Sequence, residues 1–324
     1  MRGSAATLAP SLIAASQQSM PDLLVVSDMI DLGDLLARLR GTHARVPVAL
    51  YLHENQLTYP RQVDEALDVG LAWITWRNLT LADEIWCNSA FHRDDLLASL
   101  PRFLEDVPDH DHAGELASVA GKIRVLPIGV DIPAAGTRSS PPLIVSNQRW
   151  HHDKDVAAVV RALLRIAADG GQFCAAMIGD DSGGLADEIN PLLDQLGERV
   201  VARGHQPRGA YERILGEADI VVSAARNEFF GLAVIEAVGA GAVPVLPNAV
   251  AYPETIPAEY HSAVLYESGE LRRALSATLA ELPARREAIA GLAESMTRFC
   301  WPQVAVGYDR AAAALAESGS GGEN

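Results

Sequence analysis

Ala218-Asp-Ile-Val-Val-Ser-Ala-Ala-Arg-Asn-Glu-Phe-Phe-Gly-Leu-Ala-Val-Ile-Glu236 carries a strand, a polar loop and a helix in nineteen residues. The apolar, β-branched run 220–223 reads as a buried strand. Residues 232–240 repeat at helical spacing, with Gly231 at the turn and Leu232 opening the helix. Glu228 precedes that helix and Glu236 lies on it. Backbone N–H groups of Phe229, Phe230 and Gly231 at a helix start form a favourable place for a diphosphate. Glu228 is then expected to accept hydrogen bonds from sugar hydroxyls, and Glu236 from a ribose hydroxyl pair. Two glutamates mean little in a chain with 42 acidic residues. Their weight comes from the strand before them and from Gly239-Ala-Gly-Ala-Val-Pro-Val-Leu-Pro247 after them.

Outward from this stretch, apolar runs alternate with longer helical patterns. Residues 23–27, 47–52, 84–88 and 122–127 read as strands in the first half. Residues 143–147, 173–179, 200–204, 220–223, 243–247 and 263–266 do so in the second. Helices fit between them at 64–81, 153–168, 208–217 and 232–240. This rhythm predicts an α/β protein of two Rossmann-like domains with parallel sheets. Ser89 stands where a helix N-cap is needed, followed by Asp94 and Asp95. The stretch 133–142 is rich in turn formers and reads as an interdomain linker. The expected domains are 1–138 and 141–301, with a helix at 302–317 returning to the first and a disordered Gly/Ser-rich tail at 318–324. The first 20 residues read as a Ser/Ala-rich helix, so the first domain starts in mid-fold. It is either a reduced variant or lacks an opening strand–loop unit.

Two further blocks sit at strand ends. In Ile144-Val-Ser-Asn-Gln-Arg-Trp-His-His-Asp-Lys154, the cations Arg149 and Lys154 flank a strand–helix loop and could neutralise a leaving diphosphate. In Tyr51-Leu-His-Glu-Asn-Gln-Leu-Thr-Tyr-Pro60, polar side chains follow a strand, where a parallel sheet presents ligands. His53 is expected to contact the transferred sugar. Glu54, Asn55, Gln56 and Tyr59, with His92, are expected to shape the acceptor side. The turn Gly179-Asp-Asp-Ser-Gly-Gly184 lacks the Lys-Ser/Thr ending of a P-loop, and Gly179 reads as a strand-end turn near the donor base.

The chain has 324 residues, 49% hydrophobic and 21% charged, enough to bury two cores. Cys87, Cys174 and Cys300 are scattered, have no metal-site spacing and read as reduced thiols of a cytoplasmic protein. No signal peptide or membrane-length apolar run is expected. The formal charge of −16 gives nucleic acid no general attraction, so RNA would need a local patch. Arg38, Arg40, His43, Arg45, Arg61, Arg77, His92, Arg93 and Arg102 are scattered candidates, and solvated helix faces are the simpler account of them.

These blocks resemble the GT-B glycosyltransferases of retaining family 4. Glu228 and Glu236 match its E-x7-E motif, and Arg149 and Lys154 its diphosphate-binding pair. Ile128-Gly-Val-Asp131 is similar to its N-G-V-D segment, and His53-Glu54 stands where His-Asp is common. A narrower resemblance, carried by residues 53–60, 88–92 and 147–154, is to the glycosyltransferase-like domain-containing protein 1 group. It implies two domains facing across a cleft and transfer of mannose from GDP-mannose to queuosine in tRNA, with retention. No side chain in these blocks is an evident nucleophile, which fits a front-face mechanism. A small-molecule or lipid acceptor, or a nucleotide-sugar-binding protein without catalysis, is the alternative. Asp109-His-Asp-His112 contains the D-x-D that holds a divalent metal in another glycosyltransferase architecture, but the surrounding fold pattern differs. No metal or other cofactor is therefore expected, and the partners expected are the nucleotide sugar and tRNA, with no membrane.

Overall fold

The computed structural model describes residues 3–41, 46–60, 68–105, 110–138 and 140–320. It divides into two compact units, residues 1–127 with 304–324, and residues 128–303. The division falls upstream of the turn-rich stretch 133–142, which lies inside the second unit.

The first unit runs α1 (Ser4–Ser16), β1 (Leu24–Ser27), α2 (Leu32–Arg38), β2 (Val48–Leu52), α3 (Val69–Leu81), β3 (Glu84–Cys87), α4 (Ala90–Leu104), α5 (Ala113–Lys122) and β4 (Ile123–Val125). Short polar residues start three of its helices. Asp31, Asp68 and Ser89 accept the backbone N–H of Asp34, Leu71 and His92 at 3.2, 3.0 and 2.9 Å. The sheet is parallel, in the order β1-β2-β3-β4. Strands that follow one another in space as in sequence, joined by right-handed crossovers, put their connecting helices on one face. Val48, Leu50, Leu52, Ile85 and Cys87 pack on that face. Ala49 and Trp86, one residue out of phase, point the other way and are covered by Tyr308, Ala311, Ala312 and Leu315. The Tyr308 hydroxyl donates to the Leu126 carbonyl at 3.2 Å and lies 3.3 Å from Tyr51 Oη.

The second unit contains β5 (Leu143–Ser146), α6 (Val156–Ala168), β6 (Cys174–Ile178), α7 (Ala186–Leu196), β7 (Val200–Gly204), α8 (Arg208–Glu217), β8 (Ile220–Val222), α9 (Leu232–Gly239) and β9 (Val243–Pro247). Then follow α10 (Tyr252–Thr255), α11 (His261–Val264), β10 (Leu265–Tyr266), α12 (Leu271–Ala280), α13 (Leu282–Ala288), α14 (Leu292–Ser295) and α15 (Trp301–Ser320). Residues 304–320 of α15 belong to the first unit and supply the Tyr308–Leu315 cover. The strand order is β10-β9-β8-β5-β6-β7, all parallel, the doubly wound arrangement. Its direction reverses between β5 and β8. Ligands bind beyond the carboxyl ends of strands at such a point.

Several boundaries differ from expectation. The helix over 64–81 begins at Val69, and residues 64–67 lie outside the described ones. The strand over 122–127 spans only Ile123–Val125. Lys122 closes α5, and its Nζ donates to the carbonyls of Thr80 and Ala82 at 3.0 and 2.8 Å, meeting the negative end of α3. The strand over 263–266 shortens to Leu265–Tyr266 because His261–Val264 form a helical turn. Residues 318–320, read as part of a disordered tail, continue α15, and 321–324 lie outside the described residues.

Candidate functional site

The two sequence blocks of the second unit meet at its switch point. β5 delivers Asn147 to Lys154, and its neighbour β8 delivers Ser223 to Gly231. Lys154, 8% exposed, is a hub between them. Its Nζ donates to the Asn227 carbonyl at 2.6 Å and Glu228 Oε2 at 3.2 Å, and lies 3.3 Å from Asp153 Oδ2. Burial pushes the Asp153 carboxyl up, but Lys154 and His151 outweigh it and hold the group below its ordinary value. Lys154 is thus engaged with protein acceptors rather than projecting as an isolated diphosphate cation. Arg149 is exposed; the Asp180 carboxyl is held low chiefly by hydrogen bonds from Ser182, with small contributions from the charges of His205 and Arg149.

Glu228 caps α9. Its Oε1 accepts the N–H of Phe230 at 3.2 Å and of Gly231 at 2.9 Å. Those two amides were expected to face a diphosphate. A carboxylate two and three residues upstream reaches them first, because the ring it closes is short and the helix dipole favours it. The first-turn amides of Leu232, Ala233 and Val234 are the ones an α-helix leaves without acceptors of its own. Phe229 and Phe230 bury their rings, Phe230 edge-on to Phe299, and so anchor the loop. Gly231 takes φ +97°, where a Cβ would also meet Tyr252.

On α9, Glu236 Oε2 accepts the Tyr211 hydroxyl at 2.5 Å, and Oε1 lies 3.5 Å from Arg208. Burial raises the Glu236 carboxyl, against the pull of Tyr211 and Arg208. Asn147 donates to Tyr211 Oη at 3.0 Å and to the Ala233 carbonyl at 2.7 Å. Gln148 donates to Ser223 Oγ at 3.0 Å and Tyr252 Oη at 2.9 Å, locking the β5 loop to the β8 loop. Tyr211, Ser223 and Tyr252 were not singled out in the sequence, and nothing there marks them, since their partners are 25 to 104 residues away.

Gly179 touches this site through its backbone. At φ +148° it packs on Gln148 and Arg149, and a Cβ would overlap the Gln148 carbonyl oxygen. Close backbone approach, rather than a ligand-facing turn, explains the glycine.

In the first unit, Asp28 after β1 and His53 after β2 meet at the ends of adjacent strands. His53 Nδ1 lies 3.1 Å from Asp28 Oδ1, and its backbone N–H donates to Asp28 Oδ2 at 3.4 Å. Asp28 is buried, whereas the His53 side chain is 55% exposed. The arrangement puts the ring proton on Nδ1 and turns Nε2 outward. The hydrogen bond to Asp28 is the chief cause of a raised His53 pKa. Asp28 was missed because a lone Asp after a strand carries no signal.

The other acceptor-side residues separate by burial. Asn55 has no exposure. It donates to Asp95 at 2.7 Å and Ser99 at 3.0 Å, and accepts the Leu57 N–H, so it pins its own loop. His92 is likewise unexposed, bonded to Asn88 Oδ1 at 2.9 Å, with burial pushing its imidazole down to about 4. Neither can meet a ligand without local opening, which corrects the expectation for both. Glu54, Gln56 and Tyr59 are half-buried, and Gln56 Nε2 reaches Met29 Sδ at 4.0 Å. Of the scattered cations, Arg38, Arg77 and Arg93 are paired with Asp34, Asp31 and Asp94. Arg40 and Arg102 are exposed, while His43, Arg45 and Arg61 lie outside the described residues, as does Asp109.

Asp28→Asn should lower the His53 pKa toward its ordinary 6.5. A raised folded-state pKa contributes stability that is complete below pH 6.5 and is lost as pH rises through the raised value. Titrating the His53 ring by NMR checks this, and an unchanged midpoint in the variant would remove Asp28 as its cause.

Two parallel α/β sheets, the second of them doubly wound, put the chain in the GT-B class of folds. Sucrose-phosphate synthase of Thermosynechococcus elongatus matches with a TM-score of 0.72 at 16% identity, over 96% of this chain and 78% of that one. The catalytic domain of Arabidopsis thaliana starch synthase IV matches at 0.70 and 14% identity, over 95% and 76%. These likenesses concern fold. Residues 130–294 match the family of glycosyl transferases group 1, and the chain belongs to it. Residues 1–130 match the tRNA-queuosine alpha-mannosyltransferase N-terminal family. The tRNA-queuosine alpha-mannosyltransferase of Drosophila melanogaster is 28% identical over 250 residues, 73% of this chain and 66% of that protein's length.

Proposed function

We propose that this chain transfers mannose from GDP-mannose to queuosine in tRNA, with retention of configuration and without a metal. The observation that carries the acceptor is the match of residues 1–130 to the tRNA-queuosine alpha-mannosyltransferase N-terminal family. The donor reading rests on the switch-point cluster. The first-turn amides of α9 and Arg149 would take the diphosphate, with Lys154 holding Glu228 against the sugar. Glu236 would take the ribose through Oε1, its other oxygen being engaged by Tyr211. His53, oriented by Asp28, would serve the transferred sugar through Nε2. No helix among the described residues is long and apolar enough to cross a membrane, which accords with a cytoplasmic site of action.

The test is incubation with GDP-[14C]mannose and tRNA containing or lacking queuosine, with and without EDTA. Label should enter only the queuosine-containing RNA, and EDTA should leave it unchanged. Loss with EDTA and rescue by Mn²⁺ would overturn metal independence. The net charge of −16 favours a second reading, a small-molecule or lipid acceptor. GDP binding with no label in either RNA is its signature. Within the donor site, Glu236→Ala should weaken GDP binding in calorimetric titration, and unchanged affinity would exclude the ribose role.

A further inference from the structure

Outside both polar clusters, His110, His112 and Glu115 converge where α5 begins. They are the one group of three such side chains near enough to share an ion among the described residues, their ligand atoms all within 4.8 Å of one another. His112 Nδ1 lies 2.5 Å from Glu115 Oε2, and His110 Nε2 lies 3.6 Å from the same oxygen. Donors bound at about 2.0–2.1 Å around a tetrahedral ion stand about 3.4 Å apart, so small side-chain rotations suffice. The backbone makes this convergence. His112 is the N-cap of α5 and Glu115 lies three residues on, on the same side of the first turn.

One ligand is already fixed. The His112 side chain is only 11% exposed, and its ring stands edge-to-face against Trp76 at 5.6 Å and Trp73 at 6.4 Å. Its Nδ1 is the nitrogen turned toward Glu115. His110 packs against it at 4.8 Å between ring centres. His110 is exposed and Glu115 half-buried, and they close the site from the solvent side. Asp111 is not part of the set, because its Oδ1 accepts the Ala113 N–H at 3.0 Å.

We propose that His110, His112 and Glu115 bind one Zn²⁺, with water completing four-coordination. Two imidazoles and one carboxylate suit zinc and disfavour Mg²⁺ and Ca²⁺, which seek oxygen. The ion would staple the start of α5 to the tryptophans of α3, a stabilising role apart from sugar transfer. The site is independent of the function proposed above.

The test is calorimetric titration of the metal-stripped chain with ZnCl₂, on wild type, His110→Ala, Glu115→Gln and the double variant. Neither side chain is buried, and circular dichroism checks that the variants fold. One equivalent should bind to wild type, on the order of tenfold or more weaker in each single variant and absent in the double. Mg²⁺ should give no binding, and Zn²⁺ should raise the thermal midpoint of wild type, less so in the single variants and not in the double variant. Absence of saturable Zn²⁺ binding, or binding undiminished in the double variant, would overturn the assignment.

Discussion

Lys154→Ala is expected to cost the second unit about 3–5 kcal/mol. The ammonium is the counter-charge of two carboxylates, one of which, Asp153, has no exposure. Removing it leaves Asp153 and Glu228 facing each other as like charges in a low-dielectric pocket. It also leaves the Asn227 carbonyl without its 2.6 Å donor. The acid side should change as well. A depressed Asp153 contributes stability above its ordinary value of 3.8 that is lost as pH falls through the lower folded-state value. Without Lys154 only His151 is left to oppose burial, so that contribution shrinks. Urea denaturation at pH 7 and at acid pH measures both effects. A variant within about 0.5 kcal/mol of wild type would show that the cluster tolerates its missing cation.

Gly179→Ala should be nearly as severe, costing about 3 kcal/mol or more. The new Cβ would overlap the Gln148 carbonyl oxygen, and stand 2.6 Å from its carbon and 3.2 Å from Arg149 N. Neither side can yield cheaply. Gly179 N–H is tied to the Gly204 carbonyl at 3.1 Å, and Gln148 holds Ser223 and Tyr252. Displacing Gln148 would release the β8 loop and with it the proposed donor site, so GDP affinity should fall in the protein that remains folded. Gly170→Ala is the matched control. Its φ is +87°, yet nothing lies within 4 Å of the added carbon, so only backbone strain of about 1 kcal/mol applies. Comparable melting temperatures for the two variants would contradict the packing argument.

The layout of strands and helices was readable because a parallel sheet buries both faces of each strand. That forces continuous apolar runs such as Ile220–Val222 and Val243–Pro247, separated by helices of helical period. The meeting of the Glu228 and Lys154 blocks was readable through motif resemblance, because each follows a strand. What each group does there was not. Glu228 turning back on its own helix depends on backbone direction, and the engagement of Lys154 depends on a carbonyl 73 residues away. Asn55 illustrates the opposite error. A polar residue after a strand looks ligand-facing until its partners Asp95 and Ser99, 40 and 44 residues on, are in place. His53 emerged from its strand-end position, but Asp28, which sets its tautomer and charge, had no local signature.

The first sheet's outer face has a consequence for synthesis. Ala49 and Trp86 are made early, but their cover comes from Tyr308 to Leu315, after the whole second unit. At ordinary ribosomal speeds, the interval between Pro127 and Val304 lasts on the order of 10–35 s. Throughout it the nascent first unit must carry an uncovered indole and alanine surface while the second unit, whose residues are contiguous, can condense on its own. Completion of the first unit is thereby postponed until Tyr308 to Leu315 are made, and the interval is a window in which a chaperone that holds apolar surface would find its client.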